Sequence, residues 1–202
     1  MREKLLLAPA VLLLFLSSAA WATHPAQHQV RTTTDAMLTA LDADRGSLRS
    51  NPGRLYDLIE EILVPHLDFE RMSRWVLGKH WRRASAQQRE RFTGEFRALL
   101  MRTYATALLE YSGQTIDYLP VRAADKASSV TVRTEIHQPR GPSIPVSYHL
   151  HQAGNDWKAY DISIDGVSLV TTYRSSFSSA LRRSDLDQLI SDLATKNRRT
   201  TD

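Results

Sequence analysis

The chain contains no cysteine. That absence excludes a disulfide framework, a thiolate nucleophile and a lipid-modified cysteine at the start of a mature chain. Stability must then come from the apolar core alone. A chain of 202 residues is long enough to build one. Catalytic signatures are missing as well: there is no Gly-x-Ser-x-Gly elbow, no glycine loop for a phosphate and no His-Glu-x-x-His. No internal repeat, low-complexity tract or linker divides the sequence. Past Leu16 no run is apolar enough to span a bilayer, which takes ~20 residues. The net charge is a mild +4 without basic–aromatic repeats, far from a nucleic-acid-binding profile.

What is present begins with a leader. Arg2 and Lys4 precede the apolar run Leu5 to Leu16, and Ala20-Trp21-Ala22 has the small-x-small pattern of a cleavage site. This predicts a signal peptide over residues 1–22 and a soluble exported chain from Thr23. Thr23 to Gln29 reads as a polar lead-in, and Val30 to Leu41 as a helix burying Val30, Met37, Leu38 and Leu41. Asn51-Pro52, a cap followed by proline, starts a helix carrying Leu55, Leu58, Ile59 and Ile62. Asp68 caps a third, with Met72, Trp75, Val76 and Leu77, which Gly78 stops. Ser85 and Gln88 form a capping box that opens the longest helix, running to about Tyr111. Phe92, Phe96, Leu99, Leu100, Tyr104, Leu108 and Tyr111 share one side of it.

The period then changes to two. Thr115 to Val121, Ser129 to His137, Ile144 to Gln152 and Trp157 to Ile164 alternate as strands, joined by short turns. Short turns imply an antiparallel meander with one apolar face. In the last strand, alternation puts Tyr160, Ile162 and Ile164 on one side and Trp157, Ala159, Asp161 and Ser163 on the other. After Asp165-Gly166, Ser168 caps a helix with the stripe Leu169, Val170, Tyr173, Phe177 and Leu181. A last helix starts at Ser184, and the tail from Lys196 is expected to fray. The fold class is therefore α+β: a curved antiparallel sheet of four to five strands wrapped by helices, which with the resemblance given below is expected to enclose an apolar lipid cavity. Residues 23–202 are read as one domain, helical over about 30–112, sheet over about 114–165, and closed by helices over about 168–197. The long helix and the helix after Gly166 are the expected covers of the apolar sheet face. The corner Trp157 to Phe177 is either a core corner or a cavity wall.

Candidate chemistry is sparse. His149 and His151 share a strand face, but it is the wet one and no third ligand is evident, so no metal site is assigned. Asp161 and Asp165 suit a turn and hydrogen-bonding role better than acid–base work. The basic run Lys79, Arg82, Arg83, Arg89 and Arg91 is either a solvated surface or a docking patch for a membrane protein or lipid phosphate.

Three blocks in order carry a resemblance: FERMSRWVLGKHWRRAS (Phe69 to Ser85), QRERFTGEFRALLMRTYATALLEYSGQT (Gln88 to Thr115) and WKAYDISIDGVSLVTTYRSSF (Trp157 to Phe177). Together they resemble the MlaC, or toluene-tolerance, family of periplasmic phospholipid-transport proteins. Ser184 departs from the glycine common there in relatives. The resemblance implies a non-enzymatic carrier without cofactor, holding phospholipid acyl chains in an interior cavity. It implies exchange between an outer-membrane lipoprotein and porin complex and an inner-membrane ABC transporter with an MCE-domain subunit, maintaining outer-membrane lipid asymmetry. Such a carrier answers a physical need. Exposing two chains of ~16 carbons to water costs on the order of 20 kcal/mol, at ~0.8 kcal/mol per CH₂. The expected lining is Val146, Tyr148, Ile164 and Val167 from the sheet side, roofed by Phe96, Leu100, Tyr104, Leu108, Tyr173 and Phe177, with Met72, Trp75 and Leu77 beside them. An exported hydrolase or isomerase on a cone-shaped α+β fold, with acid–base groups inside the cone, and a lipoprotein-carrier chaperone are the alternatives.

Overall fold

The computed structural model describes residues 23–124 and 127–199. The leader expected over residues 1–22 lies outside them, as do Asp125 and Lys126 of the first expected turn. The helical half comprises α1 (Pro25–Ala43), α2 (Arg45–Ser50), α3 (Pro52–Ile62), a 3-10 turn (Val64–His66), α4 (Phe69–Leu77), α5 (Lys79–Arg83) and α6 (Ala86–Leu109). The strands are β1 (Thr115–Leu119), β2 (Ser129–His137), β3 (Ile144–Ala153), β4 (Asp156–Ile164) and β5 (Val167–Ser168). Two helices close the chain, α7 (Leu169–Ala180) and α8 (Leu186–Arg199). The sheet runs β1-β2-β3-β4-β5 with every pairing antiparallel, giving the expected α+β class.

Local chemistry explains most element boundaries. Ser85 Oγ accepts the Gln88 amide and the Gln88 side chain accepts the Ser85 amide, so the capping box opens α6. Asp68 Oδ1 accepts the Arg71 amide at 2.8 Å and caps α4. Gly78, at φ +53, ends α4 in a conformation that side chains resist. Three boundaries differ from expectation. The lead-in before Val30 is helical, because His24 Nδ1 accepts the Ala26 amide and Pro25 occupies the first turn. The cap of α8 is Asp185, whose Oδ1 accepts the Gln188 amide, while Ser184 Oγ bonds back to the Ala180 carbonyl and finishes α7. Helix α8 continues past Lys196 to Arg199: Asn197 is buried and donates to the Glu95 carbonyl at 2.9 Å.

The apolar side chains gather in three clusters. The first is wholly helical, with Met72, Val76, Phe92, Phe96, Leu99, Phe177 and Ile190 at its centre. The second joins the sheet to the start of α1 through Ala26, Val30, Val130, Val132, Leu150, Trp157 and Ala159. The third packs α1, α2 and α3 on the end of α6. Val64 touches the first and third, and Leu67 the first and second, so the 3-10 turn sits where all three approach. The cover of the apolar sheet face is therefore α1 rather than α6, which packs on α8, α4 and α3. Helix α7 packs on α4 and meets the sheet chiefly at β4 and β5. The physical reason is the helical N-terminal segment: Gln27 and Gln29 tie it to strand backbones, occupying the face that α6 was expected to take.

A bulge also revises the strand parity. His149 pairs with Asp161 and Leu150 with Ala159, leaving Tyr160 unpaired. Side chains directly opposite share a face, so Trp157 and Ala159 join Ile162 and Ile164 on the apolar side. Tyr160 turns to the other side, toward His149, His151 and Trp75.

Candidate functional site

The register assigns the apolar sheet face. It carries Ile116 and Tyr118 from β1, Val130, Val132 and Thr134 from β2, Val146, Tyr148 and Leu150 from β3, and Ile162 and Ile164 from β4. No carboxylate or imidazole stands on it among the described residues. The acid–base groups Asp117, Glu135, His137, His149, His151 and Asp161 all fall on the opposite face.

The expected lining residues distribute over several places. Met72, Leu77, Phe96 and Phe177 are buried in the helical cluster, with Leu100 and Tyr173 half-buried against it. Phe96 meets Tyr173 edge-on at 5.3 Å and Phe177 at 6.0 Å, while Tyr173 lies 5.7 Å from Phe177. Leu108 belongs to the third cluster. Val146 is buried and Tyr148 half-buried on the sheet. Ile164 and Val167 flank the Asp165-Gly166 turn at 38% and 58% exposure, and Trp75 is 50% exposed on the far side of the sheet. Tyr104 stands between Leu100 and Leu108 on one row of α6, with four residues per step.

Three phenols stand on these apolar surfaces, Tyr118 and Tyr148 against the sheet cluster and Tyr104 beside Tyr173. The Tyr104 phenol is pushed up to about 12, first by burial and then by the charge and hydrogen bond of Tyr173. Burial also raises Tyr148, with Thr134 beside it pulling weakly downward. Tyr118 is raised by burial too, and its hydroxyl is buried without a hydrogen bond of good geometry, although Thr34 is close enough to counteract the shift. Tyr118 and Thr134 were not among the expected lining residues. The alternation of β1 around Asp117 and of β2 around Arg133 carried the signal for both. Leu38 and Met101, half-buried in the third cluster, were also not among them. The resulting surfaces offer aliphatic and aromatic side chains and neutral hydroxyls; no charged side chain projects from the sheet face itself, and the Arg31 guanidinium lies 4.0 Å over the Tyr118 ring at its β1 margin. They can hold an apolar chain and hydrogen-bond a polar group at their margin.

The remaining candidates have structural partners. Asp161 Oδ1 accepts the Val170 amide at 3.1 Å and its Oδ2 accepts the Ser168 hydroxyl at 2.6 Å, so it fastens the start of α7 to β4. His151 Nε2 lies 2.7 Å from Asp68 Oδ2, and His149 Nδ1 lies 3.2 Å from Thr131 Oγ1. Among the described residues no three His, Cys, Asp or Glu side chains are grouped to hold a metal ion. The basic run divides: Arg89 donates to the Trp81 carbonyl and Arg91 pairs with Asp187, while Lys79 and Arg82 face a groove of about 800 Å³ between α4, α5 and α7.

Comparison with known proteins follows the same span of chain. The family model described as MlaC protein matches residues 31–195. The toluene tolerance protein ttg2D of Pseudomonas putida is 33% identical over 80% of this chain and 76% of its own length. The intermembrane phospholipid transport system binding protein MlaC of Haemophilus influenzae is 26% identical over 81% of this chain and 78% of its own. A solved phospholipid-binding protein of Ralstonia solanacearum, in complex with a phospholipid, superposes with a TM-score of 0.82. It is 30% identical and covers 89% of this chain and 100% of its own.

Proposed function

Since the chain belongs to the MlaC family, we propose that it is a periplasmic phospholipid-binding transport protein that takes up acyl chains where its three apolar clusters meet. The observation that carries this reading is the Ralstonia solanacearum relative, which binds a phospholipid on the same fold over nearly the whole of this chain. Two features of this chain support it. The half-buried Leu100, Tyr104, Leu108, Tyr148 and Tyr173 leave apolar surface that a fully packed core would have closed. The apolar sheet face that carries Tyr148 projects no charged side chain of its own, as a container for hydrocarbon requires, since an unpaired charge beside acyl chains is costly.

The finer reading extends this to exchange partners. The chain would receive and deliver glycerophospholipid between an outer-membrane lipoprotein and porin complex and an inner-membrane ABC transporter with an MCE-domain subunit. Export by a leader over residues 1–22 and a single domain over residues 23–202 belong to the same proposal. The reaction class is binding and release, without covalent chemistry.

Extraction of purified protein with organic solvent, followed by mass spectrometry, tests the central claim. Glycerophospholipid in near-stoichiometric amount is expected. Protein that is consistently empty and takes up no phospholipid from added vesicles overturns it.

A further inference from the structure

The groove between α4, α5 and α7 lies apart from the proposed acyl-chain zone, and its chemistry is of a different kind. Arg71, Arg74, Lys79, Arg82 and Arg174 line it, against two acids, Asp68 and Glu70. Asp68 is already engaged, with one oxygen capping α4 and the other on His151. Four arginines outside the groove have carboxylate partners: Arg45 with Asp42, Arg54 with Asp44, Arg91 with Asp187 and Arg97 with Glu60. Among the described residues none of the five groove cations has a carboxylate at ion-pair distance. Clustering unpaired like charges raises the energy of the free molecule and creates a strong local field.

Two further features give the groove shape. Trp75 stands at it half-exposed, stacked on Tyr160 at 6.3 Å and 22°, so a large ring is held ready for contact. A Cβ at Gly78 would lie 3.4 Å from the Arg174 guanidinium, so the bare backbone there lets Arg174 lie close across the break between α4 and α5. The cationic surface continues along α7 into a second groove of about 610 Å³, where Arg174 and Arg182 flank Ser175, Ser178 and Ser179.

We propose that this groove docks an acidic segment of a partner protein, with an apolar or aromatic side chain of that segment seated on Trp75. Charge complementarity selects an anionic occupant. Concavity selects a protruding segment over a bilayer, because a flat lipid surface meets the rim and not the floor. The proposal rests on the carrier reading, since a carrier crossing solution must find the protein it serves. Complementary charge acts there chiefly on the rate of encounter and fades as salt screens it.

The test uses the full exported chain in its host. A photo-reactive benzoylphenylalanine at the groove position Glu70 is irradiated, and the cross-linked peptide of the partner is mapped by mass spectrometry. The expected product joins Glu70's position to a protein segment rich in Asp and Glu. Adding Lys79→Glu and Arg82→Glu should lower its yield about tenfold or more, and reversing the acids of the mapped segment to Lys should restore it. The same charge-reversed chain, extracted with solvent, should carry as much phospholipid as the unmodified one, so loss of cargo and loss of docking are read separately. Cross-links to lipid alone, no product, or a product that survives charge reversal each overturn the proposal. So does salt-sensitive sedimentation of the purified chain with phosphatidylcholine–phosphatidylglycerol vesicles that Lys79→Glu abolishes, which would assign the groove to a membrane surface.

Discussion

Asp161 does at the closing corner what a capping residue does for a single helix, but across two elements. Its carboxylate accepts from Ser168 and from the Val170 amide, at the positive end of α7. Asp161→Ala removes an acceptor from a helix start and leaves the Val170 amide without its partner. The expected loss is about 1–3 kcal/mol, a fall of roughly 2–4 °C in melting midpoint for each kcal/mol in a chain of this size. Asp161→Asn, which keeps one oxygen, should lose less. An unchanged midpoint in Asp161→Ala would show that the corner is held by its apolar contacts instead. Leu100 and Tyr148 allow a second test at this scale, because both are half-buried beside the proposed acyl-chain zone. Leu100→Trp and Tyr148→Trp each add bulk at a half-buried position. Both are predicted to fold, and to lower phospholipid uptake about tenfold or more, since crowding of ~1–3 kcal/mol falls on the bound state. Normal uptake by both variants, measured with fluorescent phospholipid, would remove these residues from the site.

Helix α1 is the element whose role was least visible in the sequence. Its first turns contain Gln27 and Gln29, and a polar stretch before an apolar one reads as a loop. In the structure those amides face strand backbones. Gln29 Oε1 accepts the Trp157 amide at 3.0 Å and its Nε2 donates to the Trp157 carbonyl, while Gln27 Nε2 donates to the Leu119 carbonyl at 3.2 Å. Gln29 thus stands in for a neighbouring strand at the β4 edge, and the Leu67 bridge to Ala159 continues that edge. Gln29→Ala leaves both Trp157 backbone groups unpaired and should cost about 1–3 kcal/mol in urea unfolding, with faster amide exchange at Trp157. Exchange unchanged at Trp157 would disprove the strand-like role. Elements set by short-range chemistry were legible: β2 runs over the expected Ser129 to His137, and the capping box opens α6 as read. The start of α1 was also written locally, since His24-Pro25 repeats the cap-then-proline logic of Asn51-Pro52. What alternation could not show is the bulge at Tyr160, which moves Trp157 and Ala159 to the apolar face. Nor could periodicity say which surface an apolar stripe meets. The stripe of α6 has the right spacing for a sheet cover, yet Phe92 and Phe96 meet Phe177 and helical neighbours instead. The candidate site was legible in kind, as uncharged apolar and aromatic side chains, but its assembly from three clusters depends on contacts between distant segments.

At the scale of the molecule, phenols line the apolar surfaces of α6, β1 and β3: Tyr118 and Tyr148 pack on the sheet cluster and Tyr104 stands beside Tyr173. Tyr104, Tyr118 and Tyr148 all have pKa values raised, in each case first by burial, and for Tyr104 to about 12. In the unfolded chain a tyrosine titrates near ~10. The folded state therefore binds more protons than the unfolded state once pH exceeds that value. Stability must fall with pH there, by the linkage between proton uptake and folding. The contribution of these phenols is fully present below about pH 10 and is lost as pH rises through their folded values. Lysines also titrate near pH 10.4, so the fall in the parent chain alone does not identify its source. Tyr104→Phe does, because it removes one raised phenol and leaves every lysine in place. Melting midpoints of the parent chain should be level through the neutral range and then decline above about pH 10. The Tyr104→Phe chain should decline less steeply over the same range, with one fewer late-titrating phenol in its ultraviolet phenolate absorbance. Phospholipid bound in this zone excludes water from the same hydroxyls, so loading should delay phenolate formation further. A loaded chain whose phenols ionise at the same pH as the empty one would place the lipid elsewhere.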